Sequence, residues 1–376
     1  MGTRCQYPPS LRSYGGTQYE WYYPDRFGQS PDRCGRGWIR IREEYTPSPQ
    51  GLGTSPLKMG RGGTPCGTSS KFTKVNIIIM IRMNNNRMNR SAMNKKKIKV
   101  GFIGQGYIGK NYADDFERRG YKVTRYGLEP EYIRNKNELK GCGVIFVAVP
   151  TPTTPEGFNG DIVEESVKLA GPGSVVVIKS TVLPGMTERI NKKMKHIFVL
   201  HSPEFLSSAT AKKDAANPTK NIIGIPIRSA KYQEKARLVL SMLPRAKYSS
   251  VVSSRESEFI KYATNTFYYS KIVYMNILYE LSTRLGLDWH SVKRALAAEP
   301  WIGQMHIEVE HKNGRGAGGH CFIKDFAAFS AFLRKHFRKG NNIGVIDAIE
   351  RKNIELLLES GKDLDQLYSV YGKNKK

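Results

Sequence analysis

Gly318-Gly319-His320-Cys321-Phe322-Ile323-Lys324-Asp325 sets a thiol behind two flexible glycines, beside an imidazole and three residues from an ammonium group. Cationic neighbours of this kind lower a thiol pKa and supply a thiolate nucleophile. A small buried cysteine would satisfy the same string without chemistry. His320 and Cys321 are adjacent and no second pair stands at zinc spacing, so no metal site is read here. Lys261 and Asn265 lie one helical turn apart and so share a helix face, a pairing suited to holding a developing oxyanion; a solvated lysine is the plainer reading. Gly104-Gln105-Gly106-Tyr107-Ile108-Gly109 follows one apolar run and opens a helical one, the setting in which GxGxxG holds a dinucleotide. There the first glycine permits the turn, the second lets backbone approach a pyrophosphate at the helix N-terminus, and the third permits close helix packing. Glu129, 20 positions after Gly109, is the candidate acceptor for the ribose, while Arg125 leaves a 2′-phosphate cofactor open.

The elements that must position these groups alternate from residue 98 onward. Short apolar runs at 98–103, 121–126, 144–149, 174–178, 197–200, 221–225 and 248–252 read as strands. Helical stretches at 108–119, 163–170, 187–194 and 231–243 separate them, the βαβ pattern of a doubly wound parallel sheet in an α/β protein. Beyond 252 the strands stop. A long amphipathic helix is expected at 256–285, with Phe259, Ala263, Thr266, Ser270, Val273, Ile277 and Leu281 on one stripe suited to pairing across a dimer; more helix follows near 289–298. Residues 344–368 read as two short helices divided by Ser360-Gly361. The expected domains are a tail (1–92), a dinucleotide-binding domain (93–252), a central helical domain (253–340) and C-terminal helices (341–376).

Composition narrows the classes. The 376 residues carry 60 Lys+Arg against 33 Asp+Glu, and this excess is spread over the chain, which favours non-specific contact with nucleic acid and attraction of a phosphate-bearing ligand. No apolar run is long enough for a membrane span, and no secretory signal opens the chain, so cytoplasmic residence is expected. Five cysteines without a CxxC pair are expected to stay reduced. Residues 1–92 hold 12 Gly and 8 Pro and lack apolar periodicity, so they read as a disordered basic tail, with translation from Met93 as the sharper reading.

Taken in order, Gly104–Gly109, Val149-Pro150-Thr151-Pro152-Thr153, Lys179-Ser180-Thr181-Val182-Leu183-Pro184-Gly185, Ser202-Pro203-Glu204-Phe205-Leu206, Lys261-Tyr262-Ala263-Thr264-Asn265-Thr266 and the Cys321 octet resemble the UDP-glucose/GDP-mannose dehydrogenase family over most of residues 97–330. The resemblance implies a Rossmann domain followed by an all-α central domain with a dimerisation helix. It also implies NAD as cofactor and four-electron oxidation of a nucleotide-sugar primary alcohol, UDP-glucose first among them, to the uronic acid through a thioester on Cys321. In that scheme Thr181 and Asp325 hold a water that takes the proton, Lys261 and Asn265 stabilise oxygen charge, and Glu204 orients substrate or water. Cofactor contacts are implied at Gly104, Gly106, Tyr107, Ile108, Gly109, Glu129, Pro150, Thr151 and Thr181, and substrate contacts at Glu204, Phe205, Leu206, Lys261, Asn265 and Gly318. Two departures stand out: Ser208 replaces a second Glu of many family members, and only 51 residues follow Asp325, where the family continues into a nucleotide-binding domain. The competing readings are a 3-hydroxyacid or 6-phosphogluconate type dehydrogenase, and a non-catalytic protein that binds NAD or polyanions.

Overall fold

The computed structural model describes residues 98–373 apart from 208 and 338. The expected tail, the start at Met93 and Ser208 lie outside those residues. The strands are β1 Val100–Ile103, β2 Val123–Tyr126, β3 Val144–Val147, β4 Thr153–Thr154, β5 Gly157–Phe158, β6 Val175–Ile178, β7 Phe198–His201, β8 Lys220–Ile225 and β9 Tyr248–Ser253. The helices are α1 Tyr107–Arg118, α2 Asp161–Val167, α3 Met186–Lys193, α4 Ala211–Ala216, α5 Ala230–Met242, α6 Ser254–Arg284, α7 Trp289–Ala298, α8 Gly319–His336, α9 Asn341–Ser360 and α10 Leu364–Tyr371.

Period-2 alternation in the strands feeds two cores. Val100, Phe102, Val144, Phe146, Val175 and Val177 turn to one face under α1 and α5, where Phe102 stacks on Phe146 at 5.0 Å. Ile103, Ile145, Val147, Val176 and Ile178 turn to the other, against Val163 and Val167 of α2 and Met186 and Ile190 of α3. Burial on both faces is what a parallel sheet covered by crossover helices requires. The seven expected strands form one sheet in the order β2-β1-β3-β6-β7-β8-β9.

The first five strands of that order are parallel, but β8 joins β7 antiparallel through His201 and Gly224, and β9 runs parallel to β8. The wholly parallel expectation is corrected there. Residues 202–219 are spent on the loop carrying Glu204 and on α4, which packs on α1, so the chain re-enters the sheet without crossing it. The β4–β5 hairpin, a 3-10 helix at Ile133–Gly141, helix α4, and helix α8, which opens with the Cys321 octet, all lie outside the expectation.

Helix α6 spans 31 residues and opens with a capping box, the Ser253 hydroxyl accepting from Glu256 N and the Glu256 carboxylate accepting from Ser253 N. Its expected stripe divides between two faces. Thr266 and Val273 are buried, whereas Phe259, Ile277 and Leu281 are exposed together with Phe267 and Tyr274. The inner face carries Lys261, Tyr262, Asn265 and Tyr269, and Tyr269 stacks on Phe326 of α8 at 3.8 Å. Polar groups on the buried face explain why apolar periodicity pointed partly outward. Among the described residues no helix is long and apolar enough to cross a membrane.

Candidate active site

The turn after β1 uses its glycines for three different reasons. Gly104 has φ +91° and its Cβ would fall 2.3 Å from Ala148 O; a Cβ on Gly109 would fall 1.8 Å from Gly104 O. At Gly106, the N-cap of α1, nothing lies within 4 Å of the Cβ position. That open space over a helix N-terminus is what a diphosphate needs. Tyr107 and Ile108 begin α1, and the Tyr107 hydroxyl donates to Ser207 O across the cleft. Glu129 folds back over the end of β2, its Oε2 only 2.0 Å from the Cβ position of Gly127, next to Gln105 of the turn. Arg125 is held by Asp114 at 2.6 Å and Glu117 at 2.7 Å, so its charge is already neutralised. These features fit a dinucleotide with a free ribose 2′-hydroxyl at Glu129.

Ser180, just beyond β6, accepts from Val149 N at 3.0 Å and donates to Val149 O at 2.7 Å, which fixes the loop through exposed Pro150 and buried Thr151. Thr181 follows at the same sheet edge and is buried. Lys179 before it is fully enclosed, donating to Ser202 O at 3.1 Å with its ammonium 4.2 Å over the Tyr112 ring. Desolvation lowers its pKa to about 7, since no carboxylate bonds it. The Lys179–Gly185 motif contains Ser180 and Lys179 without giving either a role in the site. Buried polar residues at a strand end are the signal that could have raised them.

The polar cluster itself joins loop 202–207, α6 and α8. Lys261 Nζ donates to Glu204 Oε1 and to Glu204 O, both at 2.8 Å, and Leu206 N donates to Glu204 Oε2 at 2.7 Å. Burial alone would neutralise both partners; their mutual attraction outweighs it, raising the pKa of Lys261 and lowering that of Glu204. Asn265 Nδ2 donates to Asp325 Oδ2 at 2.7 Å, and Lys324 holds Asp325 Oδ1 at 2.5 Å. The ring of Phe205 lies under the Lys220 ammonium at 3.8 Å. Lys261 and Asn265 are therefore buried and engaged, not solvated. Among the described residues no hydrogen bond links Thr181 or Glu129 to this cluster; both follow strands at the carboxyl edge of the sheet.

Cys321 occupies the third position of α8, after half-buried Gly318 and Gly319, and is a free thiol that reaches solvent. Protein crowding around the sulfur pushes its pKa up, Asp325 adds to that, and Lys261 and Lys324 pull the other way. The expectation that its neighbours lower the thiol pKa is corrected accordingly: desolvation and a carboxylate outweigh two ammonium groups. The same charges place Cys321 within electrostatic reach of Lys261, Glu204 and Asp325.

A doubly wound sheet whose carboxyl edge carries a glycine turn, with the Glu129 carboxylate close by, is the arrangement of a dinucleotide-binding protein. The chain belongs to the UDP-glucose/GDP-mannose dehydrogenase family: residues 132–239 match its NAD binding domain and residues 255–354 its central domain, together just over half of the chain. It is 31% identical over 247 residues to a UDP-glucose 6-dehydrogenase of Pseudomonas aeruginosa, covering 61% of this chain and 52% of that one. It is 30% identical over 218 residues to a UDP-glucose 6-dehydrogenase of Haloferax volcanii, covering 53% and 50%. The chain thus spans about half the length of the curated relatives it matches. A UDP-glucose dehydrogenase structure from Pyrobaculum islandicum superposes with TM-score 0.58 at 25% identity, over 70% of this chain and 68% of that one. A 3-hydroxyisobutyrate dehydrogenase from Mycobacterium tuberculosis shares the fold, with TM-score 0.56 at 14% identity over 74% and 99%.

Proposed function

We propose that this chain is an NAD-dependent nucleotide-sugar 6-dehydrogenase, with UDP-glucose as its substrate, that oxidises a primary alcohol to a carboxylate through a thioester on Cys321. The observation that carries the reading is the convergence of Cys321, the Lys261–Glu204 pair and the Asn265–Asp325 pair beside the dinucleotide edge of the sheet. When bound, NAD supplies a two-electron hydride acceptor, and two molecules are consumed in succession. In the first oxidation the C6 hydroxyl loses its proton to a water held between Thr181 and Asp325, and Lys261 and Asn265 hold the charge that builds on oxygen. The aldehyde carbon is then attacked by the Cys321 sulfur, whose proton passes to the new hydroxyl, giving a thiohemiacetal. Loss of the second hydride and the hydroxyl proton leaves the thioester. Water adds to that carbonyl, the C–S bond breaks, and the carboxylic acid departs as the thiol is restored.

Glu204 anchors Lys261 and so sets the charge that faces the substrate, while Phe205, Leu206 and Gly318 line the sugar side. Three features support the wider reading. The exposed outer face of α6, with Phe259, Phe267, Tyr274, Ile277 and Leu281, suits a second copy in a homodimer. Free Cys142 and Cys321 suit a reducing compartment, the cytoplasm. The proposed domain division at 252/253 coincides with the start of α6 and its capping box.

A screen of UDP-glucose, UDP-GlcNAc, UDP-ManNAc and GDP-mannose, counting NADH against acid, tests the proposal. Two NADH per acid with one of these sugars is expected. One NADH per substrate, without acid, would replace it with a single-step dehydrogenase.

A further inference from the structure

We infer that Asp363 and Asn353, on the C-terminal helical segment, are positioning residues for Cys321: they hold the backbone of loop 314–319 and cap the helix that presents the thiol. The inference rests on the thioester reading for its consequence, though not for its geometry. Asn353, buried on α9 beside fully enclosed Leu356 and Leu357, clasps Ala317 from both sides, its Oδ1 accepting from Ala317 N at 2.6 Å and its Nδ2 donating to Ala317 O at 3.0 Å. Ser360 Oγ accepts from Arg315 N at 3.0 Å, and Lys362 Nζ donates to Gly316 O at 2.8 Å. All three side chains of that clasp come from one stretch of chain, residues 353–362.

Its end is the decisive part. Helix α9 stops at Ser360, Gly361 turns through φ +68°, and Asp363 sits at φ +51°, a left-handed conformation that Asp and Asn adopt more readily than other side chains. From there its Oδ2 accepts from Gly319 N, the first amide of α8, at 2.8 Å. The N-cap of α8 is Gly318, which has no side chain to cap its own helix; a Cβ there would lie 2.0 Å from Asp363 Oδ2. The glycine is thus the space into which the Asp363 carboxylate reaches to meet Gly319 N. Because Cys321 is the third residue of α8, the direction of that first turn sets where the sulfur points.

The test compares Asp363→Ala with Asp363→Asn in the full chain, below the melting temperature of each. Asn offers a side-chain oxygen to Gly319 N and tolerates left-handed backbone, whereas Ala does neither. With nucleotide-sugar aldehyde and NAD, Asp363→Ala should form acid about tenfold or more slowly, the scale expected for a misplaced nucleophile, while Asp363→Asn stays near wild type. The first oxidation, read as the initial NADH from the alcohol, should change little in either. Iodoacetamide labelling of Cys321, followed by intact mass, needs no turnover: once its turn loosens, the thiol leaves the crowding that raises its pKa, so Asp363→Ala should label at least about threefold faster and Asp363→Asn at the wild-type rate. Wild-type labelling in Asp363→Ala, or equal impairment of both variants, would overturn the inference. Cys321→Ser is run in parallel. If it forms acid normally, the thioester reading fails, and the labelling arm alone decides on positioning.

Discussion

Two glycine-rich segments border the site, and they are held by different means, one by close backbone packing and the other by side-chain hydrogen bonds. The turn at 104–109 is shaped by close approach of backbone: Gly109 must lie against Gly104 O, and Gly104 against Ala148 O just beyond the neighbouring strand. Only Gly106 faces open space, the room left for a ligand. Loop 314–319 has a short backbone tie of its own, Glu310 bridging Arg315 and His311 N donating to Gly314 O, but side chains from outside the loop hold the rest. It is fixed by Asn353, Ser360, Lys362 and Asp363, between 36 and 46 positions later in the chain. A phosphate cradle needs only backbone near a helix end, whereas a nucleophile must be aimed at a carbon atom, and the second task calls for bonds from outside the loop.

Gly106→Val breaks the first half of this comparison most severely. An isopropyl group in the open space should cost roughly a hundredfold or more in NAD affinity, by calorimetry, because it occupies the volume of the diphosphate. The melting temperature should stay within about 5 °C of wild type, since nothing in the protein meets the new side chain. Gly316→Ala should do the reverse. Here φ is +87° and the added Cβ would lie 3.0 Å from Asn353 Oδ1, so a loss of about 1–3 kcal/mol is expected in chemical denaturation, with NAD affinity unchanged. Equal effects of both variants on affinity would erase the distinction.

The smallest effect sharpens a parallel. Glu258 of α6 caps α3 as Asp363 caps α8, accepting from Gly185 N at 2.5 Å and Thr187 N at 2.8 Å. Burial raises its pKa from 4.5 to about 7 despite those donors. Between these values the folded protein binds more protons than the unfolded chain, so stability falls as pH rises through the window. Thermal melts of wild type and Glu258→Gln should therefore shift in favour of the variant by about 1–2 kcal/mol equivalent between pH 4.5 and 7.5. A pH-independent difference would mean that Glu258 stays ionised throughout.

These contrasts also explain what the sequence made legible. The strands and crossover helices are readable because alternation and amphipathic period are local, and so is the turn, because its glycine spacing between a strand and a helix is local even though Gly104 packs on distant Ala148. The direction of β8 is not, because a strand's period is the same whichever way it runs. Lys261 and Asn265 could be placed on one helix face, but their partners Glu204 and Asp325 lie 57 and 60 positions away, so burial and pairing were invisible. The thiol pKa was misjudged for a related reason: adjacent charges can be read along the chain, whereas the crowding that outweighs them comes from packing. Lys179 sits at the end of an apolar strand with no carboxylate to announce it.

The central claim, covalent oxidation at Cys321, is tested most directly by Cys321→Ser with UDP-glucose and excess NAD, following acid by mass spectrometry and NADH by absorbance in the same reaction. A hydroxyl is a poor nucleophile at neutral pH, so the account predicts that acid formation disappears while slow NADH release from the first oxidation persists. Uronic acid formed at the wild-type rate by this variant would contradict it.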